Sequence, residues 1–221
     1  MEPAIRVESK VDLGIVVVLG CAILTGALDA LMGVPGMLFT DIPFVGITGC
    51  YGLVWARATG APQLIRRSES TSGRKMLLLY ILLATTLLLT VINTVNNVGY
   101  FRNNSPSSQP LQMMLSTPWK GFLLAMRAGI TEEIPFRLFA GPVARWLLQR
   151  SIKTKGHALW LAPLLTAFPF ALVVHPASPL AYLSSLLLSF LYFEYGAMPA
   201  IAAHFFMDVV WTVLVPLMGL V

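Results

Sequence analysis

"LGIVVVLGCAILTGALDALM" (residues 13–32) runs for twenty residues with one ionisable side chain, Asp29. At about 1.5 Å per residue, a helix of that length reaches ~30 Å, the thickness of a bilayer's hydrocarbon core. The rest of the chain has the same character. Of its 221 residues, 57% are hydrophobic and 11% charged, with mean hydropathy +0.76. A soluble domain carries about a quarter charged residues. The composition therefore predicts an all-α protein, a polytopic membrane helix bundle.

Working outward, seven spans are expected, at 13–32, 42–59, 76–100, 119–149, 158–175, 179–195 and 197–221. The fourth is too long for one straight crossing and is expected to tilt, break or lie partly at the interface. No internal repeat is visible and the connections are short, so one membrane domain is expected to fill residues 1–221. The net charge of +5 follows from two loops, "RRSESTSGRK" (66–75) and "RSIKTKG" (150–156), while 101–118 carries only Arg102. Under the positive-inside rule both basic loops are cytoplasmic, which places the N-terminus inside. The charge is thus a mark of topology, and no nucleic-acid partner is expected. In residues 1–12 the acids outnumber Arg6 and Lys10, unlike the start of a cleaved signal peptide. Cys21 and Cys50 fall inside apolar spans and read as buried free thiols.

Ionisable groups at membrane depth are functional candidates, because each is costly to insert. Eight stand out: Asp29, Arg127, Glu132, Glu133, Arg137, His175, His204 and Asp208. Asn93, Asn96 and Asn97 add a polar stripe that helix–helix hydrogen bonding explains. The densest stretch is "GITEEIPFRLFAG" (129–141). Glu133 and Arg137 are four apart, acid before base, and so share a helix face. Glu132 is rotated about 100° away and lacks that partner. One paired and one unpaired carboxylate fit a structural anchor beside a general base. Pro135 removes the bond to the Thr131 carbonyl, so either a kink or a new helix capped by Thr131 is expected here.

In "AAHFFMD" (202–208), His204 and Asp208 are also one turn apart. That spacing permits a hydrogen bond that fixes the imidazole tautomer, and it also suits two metal ligands. His175 precedes Pro176 at a predicted helix end, where a histidine alone needs no chemistry to explain it.

Taken together, "EEIPFR", His175 and "HFFMD" resemble the three motifs of the CAAX prenyl endopeptidase and bacteriocin-processing family of glutamate-dependent intramembrane proteases. The segment "LYFEYGAMPAIAAHFFMD" (191–208) is similar to that family's third-motif region, and the likeness covers about residues 119–210. The resemblance implies a multi-pass endopeptidase with no metal and no cofactor. Glu132 would activate water, Glu133 and Arg137 would shape the site, and His175 would position the water. His204 with Asp208 would stabilise the oxyanion. The implied partners are the lipid bilayer and a peptide or protein substrate: a prenylated C-terminus, a leader peptide or a membrane segment. Small size and compact loops fit a prokaryotic plasma membrane.

Three departures qualify the likeness. Phe170 lies five residues before His175 where the family's motif has four, a difference that a π-bulge would absorb. Pro135 stands where a large apolar residue is usual. Asp208 replaces a frequent asparagine, and an ionised aspartate only accepts hydrogen bonds. Asp208 is therefore expected to orient His204. Counting rises from the cytoplasmic ends puts His204 ~10 Å deep but Glu132 and His175 ~24 Å deep, so a shared site demands a shift from straight, level crossings. Two other readings remain open. One is a metal-dependent hydrolase with Glu132, Glu133, His175, His204 and Asp208 as ligands. The other is a non-catalytic scaffold, transporter or pseudoprotease that keeps these groups as a helix-docking network.

Overall fold

Apolar runs longer than a dozen residues, separated by glycine and proline, leave the backbone little choice but helix. In a computed structural model, which describes residues 12–34, 37–65, 73–103, 117–152, 155–174 and 179–218, the regular structure is helical throughout. The elements are α1 (Leu13–Met32), α2 (Leu38–Thr59), α3 (Gly73–Asn103), α4 (Pro118–Glu133), a π-helical segment (Ile134–Phe139) and α5 (Ala140–Ser151). They continue with α6 (Lys155–Val174), α7 (Pro179–Tyr195), α8 (Ala197–Val209), a second π segment (Val210–Leu214) and a last turn, α9 (Val215–Leu217). These form seven rods, one over each expected span. The long fourth span is the broken one, divided into α4, π segment and α5.

Among the described residues, two stretches are long and apolar enough to cross a membrane, Leu13–Met32 and Ala197–Leu214; Leu79–Ile92 and Leu161–Val173 are shorter apolar helices. The fourth rod carries Arg127, Glu132, Glu133 and Arg137, which interrupt its apolar run. The outward faces are nevertheless oily. Leu13, Ile23, Leu31, Phe39, Val173 and Phe206 are all well exposed. A water-soluble monomer rarely exposes contiguous apolar surface on that scale. Cys21 and Cys50 are free and half-buried.

The core lies where α1, α2, the first π segment and α7 meet, around Val18, Val45, Leu53, Ile134, Leu138 and Leu191. Glycines let the backbones approach. A Cβ on Gly52 of α2 would sit 2.4 Å from the Leu138 carbonyl oxygen in the π segment. On α4, Gly121, Ala125 and Gly129 recur every four residues and are all buried. They form a small-residue ridge of the kind that seats helices closely in membranes. α8 and the second π segment lie along that ridge: a Cβ on Gly129 would come within 3.1 Å of the Ile201 oxygen, and one on Gly121 within 2.2 Å of the Thr212 oxygen.

Two ends are pinned by main chain. Asp12 caps α1 by accepting from the Gly14 N–H at 2.9 Å, and its other oxygen pairs with Arg57 near the end of α2. Hydrogen bonding to Arg57 holds the Asp12 carboxyl below the usual carboxylate range, against a weaker opposing effect of burial. At α8, the N–H groups of Ala197 and Met198 donate to the carbonyls of Gln63 and Leu64, each at 2.9 Å. The Tyr192 hydroxyl donates to the Pro62 carbonyl at 2.6 Å. Gly196, at φ 103°, makes the turn between α7 and α8, and a Cβ there would lie 2.6 Å from the Leu64 oxygen.

Candidate active site

Pro135 explains the break in the fourth rod. Having no N–H, it leaves the Thr131 carbonyl without its helical partner, and the chain widens into π geometry from Ile134 to Phe139. The Ala140 N–H then bonds to the Pro135 carbonyl, five residues back. The alternative of a new helix capped by Thr131 is not adopted: the Thr131 hydroxyl donates back to the Arg127 carbonyl at 3.0 Å, inside a continuous α4. The second π segment has a matching cause. Pro216 denies the Thr212 carbonyl its partner, and this is the carbonyl that faces Gly121. The Thr212 hydroxyl donates to the Gly121 carbonyl at 2.9 Å.

The ridge carries Glu133 to His204. In antiparallel α4 and α8, side chains tilt toward opposite helix starts, so the glutamate and the imidazole lean toward one another. His204 Nδ1–H donates to Glu133 Oε1 at 2.8 Å. On the other ring nitrogen, Nε2 lies 3.6 Å from Glu132 Oε2 and 3.5 Å from Asp208 Oδ2. The two glutamates thus reach one ring from its two nitrogens, although they leave the helix about 100° apart. Glu133 and Arg137 are fully buried, with Arg137 Nε 3.4 Å from Glu133 Oε2. Glu132 and Asp208 keep 21% and 29% of their side chains exposed, which leaves water a way to reach them.

The depth mismatch between His204 and Glu132 dissolves because the helix ends are not level. Gly129 packs on Ile201 and Phe205. Twenty-two residues follow Gly129 in its rod, up to Ser151, but Ile201 and Phe205 lie only four and eight residues into α8. α5 therefore runs on past the start of α8, and counting from each end overstates the gap.

Of the six expected site residues, five are together: Glu132, Glu133, Arg137, His204 and Asp208. His175 lies outside the described residues, as do 66–72 of the first basic loop, residues 1–11 and the side chains of Asn93, Asn96 and Asn97. Asp208 differs from expectation in one respect. The nitrogen that fixes the ring's tautomer bonds Glu133, and Asp208 is at ion-pair distance from the other nitrogen. An aspartate one turn away on the same helix reaches only the near edge of the ring, whereas α4 brings a carboxylate to the far edge. Among the described residues, no group of three or more His, Cys, Asp or Glu is arranged to hold a metal.

Other groups in the site carry no motif. Phe170 is buried, with its ring 4.5 Å from the Arg137 guanidinium and 6.1 Å from the His204 ring. α6 is α-helical from Lys155 to Val174, so among the described residues no π-bulge absorbs the extra residue between Phe170 and position 175. Ser185 on α7 accepts from Arg137 Nη2 through both its hydroxyl (2.9 Å) and its carbonyl (3.1 Å). A separate cavity of about 500 Å³ lies between α1 and α2, lined by apolar side chains including Leu19, Ile42 and Ile47. None of the eight ionisable residues singled out in the sequence lines it.

Residues 114–210 match a family model described as "Rce1-like: Type II CAAX prenyl endopeptidase Rce1-like". The matched stretch contains all six candidate residues. No curated protein and no solved structure matches the chain.

Proposed function

Since the chain belongs, through residues 114–210, to the Rce1-like type II CAAX prenyl endopeptidase family of polytopic membrane proteins, we propose that it is a glutamate-dependent intramembrane endopeptidase. The observation that carries the reading is the meeting of Glu132 and Glu133 on opposite nitrogens of His204, above a buried arginine. Family membership and the two long apolar helices point to an integral membrane protein. In the reading favoured here all seven rods cross a prokaryotic plasma membrane, with the N-terminus and both basic loops in the cytoplasm.

Peptide hydrolysis needs a base, a located water and a donor for developing negative charge. Glu132 is the base: its Oε2 has no hydrogen-bond partner, and its side chain is partly open to water. It takes a proton as the water oxygen bonds to the scissile carbonyl carbon, then delivers that proton to the departing amine. Glu133 is the anchor, neutralised by Arg137 and holding Nδ1–H of the ring. With Nδ1 so held, Nε2–H of the protonated ring is the donor for the oxyanion. Asp208, beside Nε2, favours that protonated ring. His175 is assigned the remaining task, positioning the water.

The substrate is a peptide or protein held at the bilayer, with a lipidated C-terminus, a leader peptide and a membrane segment as the classes to test. Membranes carrying wild type or Glu132→Ala are compared by proteomics of protein termini. Termini that require Glu132 support the reading, and identical sets of termini overturn it. Asp208→Asn is expected to retain part of the activity, since the amide can still dock against Nε2. An Asp208→Ala variant that outperforms it would remove Asp208 from the mechanism.

A further inference from the structure

Arg137 is fully buried, yet its ion pair with Glu133 is loose: at 3.4 Å neither Nε nor Glu133 Oε2 has a hydrogen-bond partner. Nη1 has none either. Both hydrogen bonds that Arg137 makes among the described residues go to Ser185. The hydroxyl has a single proton, which it donates to the Ala167 carbonyl on α6 at 3.2 Å. Its lone pairs are thereby turned toward Nη2 of Arg137. Ser185 is itself fully buried, so no water can stand in for it. One turn further along, Ser189 and Thr166 join the same two helices at 3.1 Å, which fixes α6 against α7.

We infer that Ser185 is a positioning residue for the reaction centre, acting through Arg137 and Glu133 on His204. The chain of contacts runs Ala167 carbonyl, Ser185 hydroxyl, Arg137 guanidinium, Glu133 carboxylate and His204 Nδ1. The hydroxyl sets where the guanidinium sits. The guanidinium sets which way the Glu133 carboxylate turns, and that carboxylate holds the ring. The inference rests on the protease reading only for its catalytic readout; the contacts themselves can be tested without substrate.

Threonine and valine at position 185 have nearly the same volume, and only threonine keeps the hydroxyl. Full-length protein in detergent is compared as wild type, Ser185→Thr and Ser185→Val, with Ser185→Ala repeating the test without added atoms. The first readout is the NMR signal of the His204 Nδ1–H proton, identified among the chain's three histidines by its loss in His204→Gln. Ser185→Val and Ser185→Ala are expected to move it and Ser185→Thr to leave it in place. In an Arg137→Lys background, Ser185→Val is expected to move it no further. The second readout is cleavage: kcat about tenfold lower in Ser185→Val, KM within about twofold, and recovery in Ser185→Thr. A signal unmoved by both Val and Ala, or a Val effect undiminished in the Arg137→Lys background, overturns the inference. Failure of the protease reading shows separately, as termini that do not depend on Glu132.

Discussion

Two clusters of charge sit five residues apart on the fourth rod, and they behave as different devices. At Arg127, the guanidinium meets Asp29 of α1, Nε to Oδ1 at 2.6 Å, and also Asp41 of α2. Around Glu132, three carboxylates surround His204 with Arg137 behind them. Taking the imidazole as protonated, each cluster has one more acid than base. Excess charge therefore does not mark the reactive one. The difference is that an imidazole, not a guanidinium, is the group the acids share, with a carboxylate beside it, Glu132, that keeps 21% of its side chain exposed. The Arg127 cluster has no imidazole: its acids meet an arginine, Asp29 is fully buried and Asp41 keeps 14% of its side chain exposed. It ties three helices together at one level, and in the proposed mechanism the other cluster moves the proton.

The sharpest way to break this contrast is to disable one cluster at a time. Glu132→Gln and His204→Gln are expected to lower cleavage by about a thousandfold or more while the melting temperature in detergent stays within a few degrees. Asp29→Asn is expected to leave cleavage within about threefold. Comparable losses from Asp29→Asn would make the first cluster part of the chemistry.

Arg127→Met reverses the pattern. It strands one fully buried carboxylate, Asp29, and one partly buried, Asp41, and removing one partner of a buried pair costs about 3–5 kcal/mol. Stability should fall in denaturant titration, with kcat of the surviving folded protein nearly unchanged. Adding Asp29→Asn and Asp41→Asn should restore most of the loss, because the cost lies in the uncompensated charge.

Gly121→Ala probes the seat on which the reactive cluster depends. Its Cβ would meet the Thr212 carbonyl at 2.2 Å, so α4 and the second π segment must part. A stability loss of about 1–3 kcal/mol with reduced cleavage is expected, whereas Gly20→Ala, which meets nothing within 4 Å, should change neither.

The smallest effect belongs to Asp12, an exposed pair outside both clusters. Its carboxyl is held below its ordinary value by Arg57. The stability it contributes is present above the unfolded-state value and lost as pH falls through the folded one. The melting-temperature difference between wild type and Asp12→Asn should be small at neutral pH, begin to shrink below about pH 4 and vanish only at lower pH.

The helices were legible because apolar run length sets them: the first is recovered residue for residue, and the fourth was already too long to be one piece. Pro135 announced irregular backbone at the glutamates, since a missing N–H is a local fact. What that irregularity becomes is decided by neighbours, and the Leu138 carbonyl packed on Gly52 favours a widened turn over a fresh helix start. Four of the six site residues could be named from four-residue spacings, and Glu132 as the unpaired acid beside one of them. Their cross-helix pairing could not, so Glu133 takes the ring-orienting bond that sequence spacing assigned to Asp208. Asp41 falls just before the span expected at 42, so its place beside Arg127 is not legible as a group at membrane depth. Ser185 was invisible for a deeper reason. It is a neutral residue among leucines, and its partner is 48 positions away, where no periodicity reaches.

The carbonyl cap on α8 divides the tolerance of the chain to change. Gln63 and Leu64 hold the start of that helix through main-chain oxygens, which every amino acid owns, so Gln63 is free to drift in identity and Leu64 among apolar residues that keep its packing on the core. Gly196 opposite them needs both a left-handed backbone and an absent side chain. Variation should pile up on one side of this junction and be refused on the other, a lopsidedness that saturation mutagenesis across 62–65 and 196 would display directly.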